Sequence, residues 1–95
     1  MLIQYVRFEL PDETSANSFD ALAAVAVPLI RDREPGTATY RTYTVEGEPL
    51  VRVFYEEYAD ADAHAEHERQ PHTAEFLAGI RALVSRIDVQ VLREL

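Results

Sequence analysis

The apolar positions of this chain change period several times, and each change marks an element. From Leu2 to Leu10 the residues alternate, with Leu2, Val6, Phe8 and Leu10 on one side and Ile3 and Tyr5 on the other. That pattern predicts a strand with apolar side chains on both faces, the kind usually covered on both sides. Pro11-Asp12-Glu13 ends it, and Thr14 or Ser15 is placed to cap a following helix. Phe19, Leu22, Ala23, Ala26, Leu29 and Ile30 then keep the three-and-four spacing of one helix face. Pro28 falls inside this helix and is expected to kink it, since it lacks a backbone donor and crowds the preceding turn. Glu34-Pro35-Gly36 stops the helix and turns the chain.

Thr37 to Val45 is rich in Thr, Tyr and Val, residue types that fit a pleated surface, and predicts a second strand. Glu46-Gly47-Glu48-Pro49 supplies a hairpin connection. A third strand runs from Leu50 to Tyr58, with Val51, Val53 and Tyr55 opposed to Leu50, Arg52, Phe54, Glu56 and Tyr58. The chain turns helical at Asp60, whose carboxylate can cap the first turn. Pro71 interrupts this short helix and suits the first position of the next. Phe76, Leu77, Ile80, Leu83, Val84 and Ile87 form the stripe of that next helix, and Ile87, Val89 and Val91 alternate in a closing strand that reaches Leu95. The order strand–helix–strand–strand–helix–strand is the split βαβ plan of the α+β, ferredoxin-like class: a four-stranded antiparallel sheet with helices on one face.

Helices on one face leave the other uncovered, and Val51, Val53 and Tyr55 there would make a large exposed patch. Burial against a second copy resolves this, and predicts a homodimer in which two sheets close into a barrel. Ninety-five residues make one domain, a size at which a shared core is an advantage. No cysteine is present, so thiolate chemistry and disulfides are excluded. Nine basic against 17 acidic residues give a net charge of −8, the wrong sign for nucleic acid or an anionic membrane. No basic leader or long apolar run is present, so a cytoplasmic location is expected.

All three histidines, His64, His67 and His72, cluster at the Pro71 bend. His67 shares a helix face with Ala63 and Asp60, and as a neutral imidazole it suits proton transfer with a phenol; the competing reading is a helix-end histidine bonded to a backbone carbonyl. His72 starts the next helix and could instead stabilise the bend. His64, His67 and Glu68 have helical spacing for a metal, but without a further ligand set they read as a polar face. Tyr5, Tyr40, Phe54, Tyr58 and Phe76 could line an aromatic slot or simply pack the core. Arg7 and Arg52 could hold an anion or pair with carboxylates such as Glu9 or Glu56. Glu56 and Glu57 are adjacent on a strand and face opposite ways, so they make no acid–base pair. No phosphate-binding glycine loop, dinucleotide fingerprint or serine nucleophile elbow is present.

Three pieces of the chain resemble the antibiotic biosynthesis monooxygenase family of small dimeric α+β barrels: Glu34-Pro35-Gly36 before a Tyr-containing strand, Tyr55-Glu56-Glu57-Tyr58, and the spacing from His67 to Pro71-His72. Three positions depart from the family pattern: Gln70 stands where a Ser cap is usual, Thr73 where Phe is usual and His64 where Leu is usual. Members of the family include cofactor-free monooxygenases of aromatic hydroquinones, haem-degrading enzymes and isomerases. In the haem-degrading branch an Asn, a Trp and a His ligand stand at the positions of Tyr5, His67 and Leu77 here, so the resemblance does not extend to haem. What it implies is oxygenation of a small aromatic, phenolic or polycyclic metabolite by O2 without cofactor or metal. His67 or Tyr58 would be the base, and Tyr5, Tyr40, Phe54, His72, Phe76 and Leu77 would form the pocket. A non-catalytic binding or stress-response barrel and a proton-shuffling isomerase are the alternatives, because the fold hosts all three.

Overall fold

The computed structural model describes all of residues 1–95. Its elements are β1 (Leu2–Glu9), α1 (Glu13–Arg33), β2 (Thr37–Val45), β3 (Glu48–Tyr58), α2 (Ala61–Arg69), α3 (Pro71–Arg81) and β4 (Arg86–Leu92). The strands form one antiparallel sheet in the order β2-β3-β1-β4, the α+β ferredoxin-like arrangement expected from the periodicities. No helix is long and apolar enough to cross a membrane.

The local signals act as their chemistry requires, with shifts at the edges. α1 is capped by Asp12, whose carboxylate accepts from the Ser15 N–H at 2.8 Å, instead of by Thr14 or Ser15. Asp reaches back over the first turn as well as Ser does and also favours the positive helix end. α1 continues through Pro28 to Arg33 without a break. The hairpin is tighter than expected, with Glu46-Gly47 at its tip; Gly47 has φ +80°, and Glu48 and Pro49 already belong to β3. Asp60 caps α2 through the Ala63 N–H at 2.8 Å. α3 stops at Arg81, short of the stripe that runs on to Ile87, because Ile87 is recruited by β1 opposite Phe8. β4 ends at Leu92, not at Leu95.

Direct cross-strand partners share a sheet face. Val6, Phe8, Tyr40, Phe54, Glu56 and Tyr58 therefore point toward the helices, and Tyr5, Arg7, Arg41, Tyr43, Val53, Tyr55 and Glu57 point away. The core lies between the inward set and Ala16, Phe19, Val27 and Ile30 of α1 with Phe76 and Ile80 of α3. Rings of Phe8, Phe19, Phe54 and Phe76 pack with centroids 4.8–5.9 Å apart, the spacing of tilted and offset aromatic contact. The space foreseen as an aromatic slot is filled by these side chains. On the helix-free face, Val51 and Val53 are only 7% and 8% exposed. The uncovered apolar surface lies elsewhere, on the helix side of edge strand β4, where Ile87, Val89 and Val91 are 40%, 56% and 56% exposed.

One close approach fixes where α2 sits. A Cβ on Gly36 would lie 2.7 Å from the Ala63 Cβ, so the turn after α1 and the first turn of α2 touch backbone to side chain. At Gly79 the nearest atom is instead the mobile tip of Leu22, at 2.8 Å. Gly36→Ala should therefore cost about 1–3 kcal/mol, the usual range for overpacking, while Gly79→Ala, in a helix that favours Ala, should be neutral or stabilising. Urea denaturation of the two variants checks this; equal effects would contradict it.

Candidate functional site

The first shared point of the site is the carboxylate of Glu34. It sits one turn beyond Ile30 on the buried stripe of α1, at the C-cap, and is 5% exposed. Pro35-Gly36 turns the chain so that Thr37 opens β2 beside it, and the Thr37 hydroxyl donates to Glu34 Oε1 at 2.8 Å. His67, in the last turn of α2, places Nδ1 2.7 Å from the same oxygen. An ionised carboxylate can only accept, so in this contact the proton is on His67 Nδ1, which donates. His72, in the first turn of α3, brings Nε2 to 2.5 Å from Glu34 Oε2. The bend at Gln70-Pro71 makes this possible: Gln70 is extended at φ −69°, ψ 139°, as a residue before proline prefers, and turns α3 so that His72 faces back to Glu34. The Gln70 amide gives α3 no side-chain cap and bonds Glu66 instead, at 3.0 Å.

His67 Nε2 makes no hydrogen bond within the chain, yet no side-chain nitrogen or oxygen is sealed from water without a partner. Nε2 therefore keeps some contact with water, within a residue that is only 6% exposed. His67 borders a recess of about 240 Å³ whose walls include Glu34, Gly36, Ala63 and Gln70. Burial pulls the pKa of His67 below the usual histidine value, with Glu34 acting against it, so the ring is neutral at neutral pH. Thr73 lies at the edge of the set, its hydroxyl 3.5 Å from His67 Nδ1.

A second buried carboxylate lies deeper. Glu56 is 5% exposed on the inward face of β3, opposite Tyr40 of β2. The Tyr58 hydroxyl donates to Glu56 Oε1 at 2.5 Å, and the Tyr40 hydroxyl bears on the same group. Burial raises Glu56 to about 7, against the pull of the two tyrosine hydroxyls. Burial and the Glu56 charge push both tyrosines well above the usual phenol range. The Tyr58 and Tyr40 rings stand 5.3 and 5.6 Å from the His67 ring.

His67, His72, Tyr40 and Tyr58 of the expected site are therefore brought together, and three other expectations fail on geometry. Tyr5 lies on the opposite face of the sheet, paired with Tyr55, because its place in the β1 alternation is odd where Val6 and Phe8 are even. Phe54 and Phe76 are core residues, 2% and 6% exposed, and Leu77 flanks that core, so none of the three lines the recess. Tyr58 has no exposed surface and spends its hydroxyl on Glu56, which makes it a fixed donor and a poor base. His64 contacts Glu68 at 3.4 Å, one turn on along the same helix, as a residue of a polar helix face would. Arg7 pairs with Glu9 at 2.6 Å as foreseen, whereas Arg52 pairs with Asp20 at 2.8 Å and not with Glu56.

Glu34, Thr37 and Glu56 were not among the expected site residues. Two signals were available: Glu34 continues the α1 apolar stripe four residues after Ile30, and Glu56 occupies the inward position between Phe54 and Tyr58.

The raised Glu56 carboxyl has a pH signature. Between about 4.5 and about 7 the folded chain holds a proton at Glu56 that the unfolded chain has lost, so this group's contribution to stability falls as pH rises through that window. The full cost above it is on the order of 3 kcal/mol. Glu56→Gln, which keeps the shape without the charge, should gain stability relative to the parent between pH 5 and pH 8. Urea midpoints at both pH values check this, and a constant difference would contradict it.

Residues 1–79 match the antibiotic biosynthesis monooxygenase family. No curated protein matches the chain. Among solved structures, a Bacteroides thetaiotaomicron protein provisionally named an antibiotic biosynthesis monooxygenase superposes with a TM-score of 0.92 at 19% identity, over 99% of this chain and 89% of its own. Another antibiotic biosynthesis monooxygenase gives 0.91 at 21% identity over 100% and 99%. A Mycobacterium tuberculosis protein gives 0.86 at 24% identity over 100% and 96%. At these identities the structural likeness carries the fold, and the match over 79 of 95 residues carries the kinship. With its α+β sheet, its Glu34-Pro35-Gly36 turn and its Pro71-His72 bend, the chain belongs to the antibiotic biosynthesis monooxygenase family.

Proposed function

We propose that the protein is a cofactor-independent oxygenase of a small single-ring phenol or hydroquinone, with His67 as base and O2 as oxidant. The observation that carries this reading is the grip of Glu34 on His67 Nδ1, which leaves the lone pair of a neutral Nε2 open to a ligand. The recess beside it, about 240 Å³, is smaller than the roughly 300–1,000 Å³ of sites for drug-sized ligands, which favours one ring over a polycyclic substrate. In the proposed reaction Nε2 takes the phenolic proton and the phenolate reduces O2. The resulting radicals couple to a ring hydroperoxide anion, and His67 returns the proton. Loss of water then leaves a quinone, with one oxygen of O2 in the product and the other in that water. The proteinaceous contribution is orientation, exclusion of water and a fixed proton acceptor. Tyr58 serves in this scheme as a buried donor that holds Glu56, not as a base.

The same proposal takes the working form to be a homodimer. Its support is the uncovered row Ile87, Val89 and Val91 on an edge strand, with Tyr43 47% and Leu92 38% exposed on the other face. An apolar row on an unpaired edge strand is a surface that a second copy of the chain can cover.

A panel of single-ring phenols and hydroquinones assayed under air and under nitrogen tests the reaction. Turnover should need O2 and be indifferent to added flavin, nicotinamide, metal or chelator. Product under nitrogen would indicate an isomerase, and saturable binding without product a binding protein. With a turned-over substrate, His67→Ala should lower kcat by about 10²-fold or more, while Tyr58→Phe should stay within about tenfold of the parent. An unchanged rate in folded His67→Ala would remove this residue from the mechanism. Light scattering at micromolar concentration should report a dimer, and a folded monomer would remove the assembly.

A further inference from the structure

Arg31 stands at the border of two recesses that the Glu34–His67 corner does not use. One, of about 400 Å³, lies between α1 and the helix side of β2 and β3; the other, of about 470 Å³, follows β2 from Thr37 to Arg41. The guanidinium is held, not free: Nε and Nη2 both donate to the Tyr40 carbonyl, at 3.0 and 2.8 Å. That uses the side edge of the planar group. The end edge, formed by Nη1 and the second Nη2 hydrogen, has no acceptor in the chain. Arg7, Arg52, Arg69 and Arg86 each pair with a carboxylate, and Arg31 does not. Arg33, Arg41, Arg81 and Arg93 also lack a carboxylate partner, but only Arg31 among these five has its guanidinium fixed by hydrogen bonds to the backbone.

The larger recess adds matching features. Pro28 has no N–H, so the Ala24 carbonyl one turn back loses its helical donor, and both residues are on the wall. The Thr42 and Thr44 hydroxyls line the opposite wall without a partner in the chain, and Ala23 and Val27 supply apolar surface between. Its other arginine, Arg52, is already neutralised by Asp20, through contacts of 2.8 and 3.0 Å. One free guanidinium edge, one neutralised arginine and no cluster of backbone amides suit a planar monoanion better than a phosphate.

We infer that this recess is a second ligand site, for a small carboxylic acid with a flat apolar body. The carboxylate is taken end-on by Arg31, and the body lies along α1 against Ala23 and Val27. The site is separate from the His67 recess and stands whether or not His67 is a base. The uncovered row of Ile87, Val89 and Val91 is on β4, at the opposite edge of the sheet from β2, so a second copy packed on that row leaves the site open.

Titration of the full-length, ¹⁵N-labelled protein with 2-naphthoate tests the inference. Saturable shifts should centre on the amides of Ala24, Thr42 and Thr44 and spare His67 and Thr73. The uncharged 2-naphthamide should bind at least about tenfold more weakly, as should naphthoate to Arg31→Gln, the size expected for losing a charge-assisted hydrogen bond. Because Arg31 also steadies Tyr40, Ala24→Glu is the companion variant: it leaves the Arg31–Tyr40 contact in place and sets a carboxylate on the wall of the exposed helix surface, with the same loss expected. Absence of saturable shifts at millimolar naphthoate, equal binding of the amide, unchanged affinity in both variants, or shifts centred on His67 would each overturn it.

Discussion

A carboxylate at the end of α1 has almost no contact with water, and most of the architecture around the bend answers to it. Glu34 must be compensated where it sits, since an unpaired buried charge costs several kcal/mol. Its partners come from three other elements: Thr37 from β2, His67 from α2 and His72 from α3. The Pro35-Gly36 turn, the contact between Gly36 and Ala63, and the break at Gln70-Pro71 are the means by which those elements converge. Removing any one partner leaves the carboxylate short of a donor, so the corner behaves as a unit and its members are not separable contributions.

The same constraint gives the corner its chemical character. A histidine buried with no carboxylate beside it would be neutral but free to choose its tautomer; one paired with an exposed carboxylate would tend toward the imidazolium. His67 is both desolvated and held, so neutrality and a defined free nitrogen coexist. Glu56, below it, shows the opposite response of an acid to the same surroundings: burial raises it to about 7, and two tyrosine hydroxyls hold it in place. Two carboxylates in one interior thus differ in company, Glu34 among histidines and Glu56 among phenols.

Much of the fold was legible in the alternation of β1 and β3, the stripe of α1, and the punctuation by Asp60, Pro71 and Glu34-Pro35-Gly36. These are local signals, and backbone sterics enforce them. Element ends were less legible where two signals overlapped: Ile87 fits both the α3 stripe and the β4 alternation, and pairing with Phe8 decides for the strand. The candidate site was half legible. His67, His72 and Tyr58 stood out by type and spacing, but a charged residue in an apolar pattern reads as solvent-facing unless its partners are known, and those of Glu34 lie 33 and 38 residues away. Tyr5 was drawn into the site by type alone, although its register with Tyr55 places it on the other side of the sheet.

The account turns on one proton. Long-range ¹H–¹⁵N correlation spectra of the histidine side chains distinguish the two neutral tautomers and the imidazolium. At pH 7 the His67 ring should be neutral with its proton on Nδ1 and a bare Nε2, and Glu34→Ala, which removes the acceptor altogether, should abolish that preference. A His67 ring that is protonated at pH 7, carries its proton on Nε2, or averages between tautomers in the parent protein would contradict the account.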